Sequence, residues 1–190
     1  RGSGTNTPTG NVSWVTNGAG AFVTSPCSLS GSGESATCSV SYTPSSVGSG
    51  SHLITASYAG DANFLPSNGN QTVTVNPLAA SVTPDAASKI YGDLEPALSG
   101  TLTGFLPADS VTATYSRVAG ETVLGGPYAI SATLVPAGVL SNYTITYNTA
   151  GFTITQKAAS VTPGVAGKIY GDIDPALTGT LTGFLPADSV

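Results

Sequence analysis

Charged residues are scarce in this chain. Only 8 % of its 190 residues are Asp, Glu, Lys or Arg, against about 25 % in an ordinary soluble domain. The polar surface must therefore come from Ser, Thr and Asn, which suits β-strands whose outward faces carry hydroxyl groups. The five Lys and Arg residues form no cluster, whereas phosphate binding needs grouped cations. The composition therefore predicts that nucleic acid is not a partner.

Histidine and cysteine are also rare, which removes most catalytic and zinc sites. His52 is the only histidine. A Ser–His–acid triad would need it beside an activated serine, and the sequence contains no nucleophile elbow. Two isolated cysteines are too few for a zinc site. We therefore expect a protein that is not an enzyme, with no catalytic residue and no cofactor.

Long apolar runs and helical periodicity are missing as well. No apolar stretch reaches the length of a membrane span, so we expect no membrane-spanning segment. The 24 glycines and 13 prolines fall between short segments in which apolar and polar residues alternate. That pattern is typical of strands joined by turns. It predicts an all-β fold made of antiparallel sandwiches.

The two cysteines lie close together in the sequence. A predicted strand, Ala36–Thr43, places Cys38 on the same face as Val40 and Tyr42, which we expect to point inward. A bridge from Cys27 to Cys38 would stabilise the fold by roughly 3 kcal/mol through loop entropy. The alternative is a pair of buried free thiols. We favour the disulfide, and with it an oxidising, extracellular compartment.

One segment of the sequence occurs twice. Ala79–Val111 aligns without a gap with Ala158–Val190, at an offset of 79 residues, and six of the 33 pairs differ. Solenoid repeats are roughly 20–50 residues long, so this longer period indicates tandem copies of a whole domain. Tandem copies supply length and multiplicity, which favours a structural or interaction role.

Several short motifs follow one another in the first part of the chain. Pro8-Thr-Gly-Asn-Val-Ser-Trp14 comes first, then Gly50-Ser-His-Leu-Ile-Thr-Ala-Ser-Tyr-Ala-Gly-Asp-Ala-Asn63, and then Ser67. In this order they resemble the bacterial Ig-like repeat. The resemblance implies an Ig-like β-sandwich from a secreted or surface protein. Because the family's first strands precede its Pro-Thr-Gly turn, we expect this domain to lack them.

A different set of motifs occupies the middle of the chain. It consists of Lys89-Ile-Tyr-Gly-Asp93, Gly120-Glu121, Gly126-Pro-Tyr-Ala-Ile130 and Asn142-Tyr-Thr-Ile145. These motifs resemble the MBG domain (YGX type), a mostly-β bacterial repeat. The resemblance implies a large secreted or surface-attached protein, often adhesin-like, and brings no catalytic residues.

The predicted organisation is three tandem domains, of which both terminal ones are incomplete. Pro77 lacks a ladder donor and restricts the residue before it, so a strand should end there. We therefore assign residues 1–77 to the Ig-like domain, 78–157 to an MBG-type domain, and 158–190 to the first part of a second MBG-type domain.

Acidic residues in the turns are the candidate metal ligands. Asp93 and Glu95, and likewise Asp172 and Asp174, stand two residues apart beside loop carbonyls. Calcium takes six to eight oxygen ligands and could use such pairs. However, an aspartate in a turn usually accepts hydrogen bonds from its own backbone. We expect no metal, with calcium as the alternative.

Lysine, asparagine and glutamate also occur in an order that permits a covalent cross-link. Lys89 lies on an early strand and Asn142 on a late one, with Glu121 between them. Surface Ig-like modules are known that join a Lys and an Asn by an isopeptide bond, catalysed by a buried acid. The ordinary alternative is a solvated lysine whose stem lies along Tyr91. An intact mass lower by one ammonia per domain would identify the bond.

Together these features predict a structural segment of a long extracellular bacterial surface or filament protein, serving as a stalk, spacer or adhesive fibre. The alternatives are a glycan- or protein-binding module of an adhesin and an accessory region of a secreted hydrolase. The expected partners are neighbouring copies or the continuation of the same chain. We expect these partners, and not the middle domain, to cover Ile169, Leu181 and Phe184.

Overall fold

Strands make up nearly all of the regular structure in residues 6–189, which are the residues that the computed structural model describes. Their helical structure is limited to one turn of α-helix, α1 (Ala137–Leu140), and two 3-10 turns, Pro107–Asp109 and Pro186–Asp188. The all-β expectation is therefore confirmed. No helix among these residues is long and apolar enough to cross a membrane.

The described residues divide into two units. Unit 1 comprises residues 6–80, 104–112 and 135–145, and unit 2 comprises residues 81–103, 113–134 and 146–189. The strands, in chain order, are β1 (Asn11–Thr16), β2 (Gly20–Val23), β3 (Cys27–Ser28), β4 (Ser30–Ser32), β5 (Ser35–Thr37), β6 (Ser41–Pro44), β7 (Ser51–Tyr58), β8 (Ser67–Thr74), β9 (Leu78–Pro84), β10 (Ala87–Ile90), β11 (Gly100–Thr103), β12 (Thr112–Arg117), β13 (Tyr128–Val135), β14 (Tyr143–Tyr147), β15 (Ala150–Thr155), β16 (Ser160–Pro163) and β17 (Gly179–Thr182).

An antiparallel sheet with the strand order β3-β1-β7-β8 forms the centre of unit 1. Trp14 of β1 lies opposite Ala56 of β7. Side chains alternate along β7, so that His52 and Ile54 are buried while Leu53 is exposed. This period-two pattern is the one that the sequence indicated.

The predicted strand Ala36–Thr43 is wrong as a single element. β5 is the second strand of a short hairpin with β4. The strand then stops, and the chain resumes strand structure only at β6, which pairs with β2. Cys38 lies in this break and is bonded to Cys27, so it is part of a connection between two strands. Alternation continued through the break and therefore concealed it.

The core of unit 2 is built by β13 and β15. Tyr128 lies opposite Phe152 in their antiparallel pairing. Together with Ile130 and Ile154 these two side chains form a buried cluster. Leu98 and Tyr115, from outside the two strands, pack against it.

Strands β10 and β15 of unit 2 pair in parallel, whereas we expected antiparallel pairing throughout. β10 runs alongside β15 in the same direction, with Lys89 next to Ile154. Parallel neighbours need a long connection, and here the intervening strands supply it. Alternation reports which face of a strand is buried and carries no information about its direction.

The two copies of the repeated segment form the same hairpin. Ser81 pairs with Thr103 in β9–β11, and Ser160 pairs with Thr182 in β16–β17, at the same offset of 79 residues. Their burial differs. Val82 is 0 % exposed, whereas its counterpart Val161 is 63 % exposed.

Side chains of the second copy are generally open to solvent. Ile169, Leu181 and Phe184 are all exposed. The described residues place no counterpart of β13 and β15 over them.

Candidate functional site

A cluster of four charged side chains lies at one side of the core of unit 2. Lys89 projects from β10 and Arg117 from the end of β12, while Glu95 and Glu121 lie in loops. The Lys89 ammonium is 3.1 Å from Glu95 and 2.7 Å from Glu121. Arg117 binds the same two carboxylates, with Nη2 2.9 Å from Oε2 of Glu95 and 2.6 Å from Oε1 of Glu121. Each carboxylate therefore bridges both cations.

Burial is uneven within this cluster. The Lys89 and Arg117 side chains are 8 % and 9 % exposed, whereas the two glutamates are largely open to solvent. Removing a cation from water is costly unless it is paired and hydrogen-bonded. The glutamates compensate for that cost from the solvent side. The arrangement thus allows the sheet to bury two cations.

The Arg117 guanidinium also covers the aromatic core. Its Cζ lies 4.5 Å from the ring centroid of Phe152 and 5.3 Å from that of Tyr128. Its Nη1 donates hydrogen bonds to the carbonyl oxygens of Gly120, at 2.7 Å, and Val118, at 3.1 Å. A planar guanidinium can stack on a ring while its edges donate hydrogen bonds, which an ammonium cannot do.

The cluster changes the acid–base behaviour of its members. Hydrogen bonds from Arg117, and then those from Lys89, lower the pKa of Glu95 to about 2. The pKa of Glu121 is lowered chiefly by its hydrogen bond with Lys89. The pKa of Lys89 is raised chiefly by Glu121. All three shifts favour the charged forms.

We expect the cluster to make stability depend on acid pH. The folded-state pKa of Glu95 lies below its ordinary value of 4.5, so the unfolded chain binds more protons between these values. The stabilisation is fully present above about pH 4.5 and is lost as the pH falls through about 2. Urea midpoints measured from pH 7 to pH 2 should therefore fall more for the parent than for Glu95→Gln.

The matched control for this measurement is Glu34→Gln, since Glu34 is an exposed glutamate of unit 1. This variant should keep the pH profile of the parent. Parallel profiles for the parent and Glu95→Gln would contradict the expectation.

The three residues of the isopeptide hypothesis have different surroundings. Lys89 and Glu121 lie together as an ion pair. Asn142 belongs to unit 1, where its Oδ1 accepts a hydrogen bond of 2.9 Å from the backbone N–H of Val47. The structure therefore brings the lysine and the acid together and gives the asparagine a backbone partner.

The calcium candidates have cations as neighbours. Asp93 lies 3.7 Å from the ammonium of Lys157, Asp174 forms an ion pair with Lys168, and Glu95 belongs to the charged cluster. The backbone oxygen of Asp172 is 3.4 Å from the same Lys168 ammonium. Nowhere in residues 6–189 do three or more His, Cys, Asp or Glu side chains form a group that could hold a metal ion.

His52 is a buried structural residue. It lies in β7, and its side chain is almost inaccessible. Nδ1 lies 2.7 Å from the Tyr42 hydroxyl and Nε2 lies 3.2 Å from the carbonyl oxygen of Val47. A carbonyl oxygen only accepts, so Nε2 donates to Val47. Both ring nitrogens are therefore engaged within unit 1.

Asp61 connects two motifs of unit 1 that are far apart in the sequence, the Pro-Thr-Gly turn and the Gly-Asp turn. One of its carboxylate oxygens accepts hydrogen bonds from the backbone N–H and the hydroxyl of Thr9, at 2.8 and 2.9 Å. The other accepts from the backbone N–H groups of Asn63 and Phe64, at 2.8 and 2.9 Å. These bonds, that from Asn63 most of all, hold the pKa of Asp61 well below its usual range. The side chain of the Gly-Asp turn thus holds the Pro-Thr-Gly turn in place by hydrogen bonds.

The disulfide lies in unit 1 beside the only tryptophan. Cys27 and Cys38 are bonded at 2.04 Å. The indole Nε1 of Trp14 lies 3.2 Å from the Cys27 sulfur. The bond therefore lies beside the indole ring.

Sequence reasoning did not identify Arg117, although a signal was present. Ala113, Tyr115 and Arg117 alternate along β12, and all three are partly buried. An arginine at an inward position of an alternating strand indicates an internal partner. The scarcity of cations in this chain strengthens that signal.

The chain is an all-β protein in which the motif residues hold turns and strands together. Residues 1–76 match the family model of the bacterial Ig-like domain (group 3). Residues 80–153 match that of the MBG domain (YGX type). The chain therefore carries a bacterial Ig-like domain followed by an MBG domain, in the predicted order. Searches of curated proteins and of solved structures gave no match.

Ig-like and MBG domains are typical of bacterial surface-protein repeats and are generally found in extracellular proteins. Both kinds of domain are typically non-catalytic.

Proposed function

We propose that this chain is a non-catalytic structural segment of an extracellular bacterial surface protein, in which it acts as a stalk or spacer. The observation that carries the proposal is the use of polar groups. His52, Asp61, Lys89 and Arg117 are each engaged by partners within their own unit. Groups held in this way stabilise the fold and are not presented to a ligand.

The repeated segment supports the same role. Two copies at a fixed offset form hairpins with identical register. Tandem domains add length in equal steps, which is what a spacer requires. The Cys27–Cys38 bond suits an extracellular location, because disulfides persist in oxidising compartments.

A spacer should resist extension, and the disulfide gives that property a measurable signature. When one molecule is stretched, the segment between Cys27 and Cys38, which are 11 residues apart, should not extend while the bond is intact. A fully extended residue spans about 3.3–3.6 Å, and the bonded Cα atoms are already 5.8 Å apart. Reduction should therefore lengthen the unfolding step of the Ig-like domain by about 30–35 Å.

The control for the stretching experiment is the same molecule with the MBG domain as the reporter, because both cysteines lie in residues 1–76. Its unfolding step should not respond to reductant. A glycan array tests the rival function, and the structural role predicts no saturable binding. Saturable binding to one glycan class would overturn the role proposed above and support a binding module.

A further inference from the structure

The turn of the second repeat copy contacts the first copy within unit 2. The hydroxyl of Tyr91 donates a hydrogen bond of 2.6 Å to Oδ1 of Asp188. Next to it, the Leu185 side chain lies against Gly92. A Cβ on Gly92 would be 2.6 Å from one Leu185 methyl group and 2.9 Å from the other. Leu185 would therefore have to move if residue 92 carried a side chain.

Each partner in this contact belongs to a motif that occurs in both copies. Tyr91-Gly92 corresponds to Tyr170-Gly171, and the turn that contains Leu185 and Asp188 corresponds to Leu106–Asp109. Every copy thus carries both a Tyr-Gly site and a Leu-Pro-Ala-Asp turn. Two different surfaces on each copy allow a head-to-tail contact that can continue along an array.

We propose that the Tyr-Gly pair of each MBG repeat is the docking site for the Leu-Pro-Ala-Asp turn of the repeat that follows it in the chain. This inference deepens the proposed function and rests on it in one respect, namely that the repeats form an array. Docking makes the junction between successive repeats a defined contact in place of a flexible linker.

The aspartate of the turn has acceptor capacity for two tyrosines. In the first copy, Oδ2 of Asp109 accepts a hydrogen bond from the Tyr143 hydroxyl of the same repeat. In the second copy, Tyr91 uses the other oxygen, Oδ1 of Asp188. An ionised carboxylate offers about four lone-pair positions. One turn can therefore be held within its own repeat and docked on the preceding repeat at the same time.

The second copy shows the same docking site without a docked turn. Tyr170 is fully exposed, and a Cβ on Gly171 would meet no atom within 4 Å. Gly92 and Gly171 nevertheless share the left-handed backbone, with φ of 84° and 96°. The left-handed glycine is therefore a local feature of each copy and forms without a docked turn.

The connection between the copies also favours the contact. Only residues 156–159 separate β15 from β16, and a short tether gives a high effective concentration. Lys157 in this connection lies 3.7 Å from Asp93, the residue that follows the docking site. This ion pair places the connection beside the site.

The test measures the distance between the copies in the full chain. Spin labels are attached at Thr133→Cys and Thr180→Cys, which are exposed positions of β13 and β17. Pulsed electron paramagnetic resonance then gives the distribution of distances between the two labels. We expect a narrow distribution for the labelled parent. Gly92→Ala and, separately, Tyr91→Phe should each at least double its width.

The second copy provides the matched controls. Gly171→Ala places a side chain on the same left-handed backbone, and Tyr170→Phe removes the same hydroxyl, yet neither residue has a docked turn. Both controls should keep the narrow distribution. Circular dichroism melting of each variant separates loss of docking from loss of folding, and Tyr91→Phe introduces no backbone strain.

Two outcomes would overturn the docking site. One is a parent distribution as broad as that of Gly92→Ala, and the other is a narrow distribution that survives in both Gly92→Ala and Tyr91→Phe. Neither outcome bears on glycan binding. Conversely, a positive glycan array would overturn the structural role and leave the distance measurement unchanged, so the two proposals fail separately.

Discussion

Replacing Phe152 by alanine is expected to lower the free energy of unfolding by about 3–5 kcal/mol, the usual cost of truncating a fully buried phenylalanine. Phe152 is 0 % exposed and lies at the centre of the core cluster with Tyr128, Ile130 and Ile154. Its ring also lies under the Arg117 guanidinium. The substitution therefore opens a cavity and removes the aromatic face on which a buried cation rests.

Urea unfolding followed by circular dichroism measures this effect, and Phe184→Ala is the matched control. Phe184 is an exposed phenylalanine of the second copy, so its truncation should change the free energy of unfolding by less than about 1 kcal/mol. Equal losses from the two substitutions would show that β13 and β15 do not form the stabilising core of unit 2.

Removing the disulfide is expected to destabilise the Ig-like domain by about 3 kcal/mol. Cys27 and Cys38 are 11 residues apart, and closing a loop of this length restricts the unfolded chain by about that amount. The double substitution Cys27→Ala and Cys38→Ala should lower the urea midpoint to the same extent as reduction of the parent. Trp14 fluorescence is a suitable probe, because the only tryptophan contacts Cys27.

The double variant supplies its own control for this second result, since reductant should leave its midpoint unchanged. Unfolding of the MBG domain, followed by hydrogen exchange of β13 and β15, should respond neither to the substitutions nor to reductant. A parent midpoint that is the same with and without reductant would show that the bond does not stabilise the native state.

Motif order and alternation predicted a large part of the fold. Alternation in β7 and β14 reflects the side-chain period of a strand, which is a local property. The order of the two families followed from motifs that fasten turns, such as Asp61 with Thr9. Such motifs are readable in the sequence because the backbone geometry that they serve is itself local.

Contacts between distant strands were harder to predict. The sequence separates Arg117 from Phe152 by 35 residues, and no short motif states that they meet. The parallel pairing of β10 with β15 and the burial of His52 depend in the same way on how strands assemble. Lys89 and Glu121 were identified together, but for a cross-link with Asn142 and not for the ion-pair cluster that they form with Glu95 and Arg117.

The repeated segment separates these two kinds of information within one molecule. Nearly identical sequences form the same hairpin, the same 3-10 turn and the same left-handed glycine in both copies. The sequence by itself determined these features, because hydrogen bonds and backbone sterics act over a few residues. Burial was decided only by the tertiary structure: Val82 is enclosed and Val161 is exposed. Enclosure requires strands from elsewhere in the chain, and in unit 2 it is β13 and β15 that build the core.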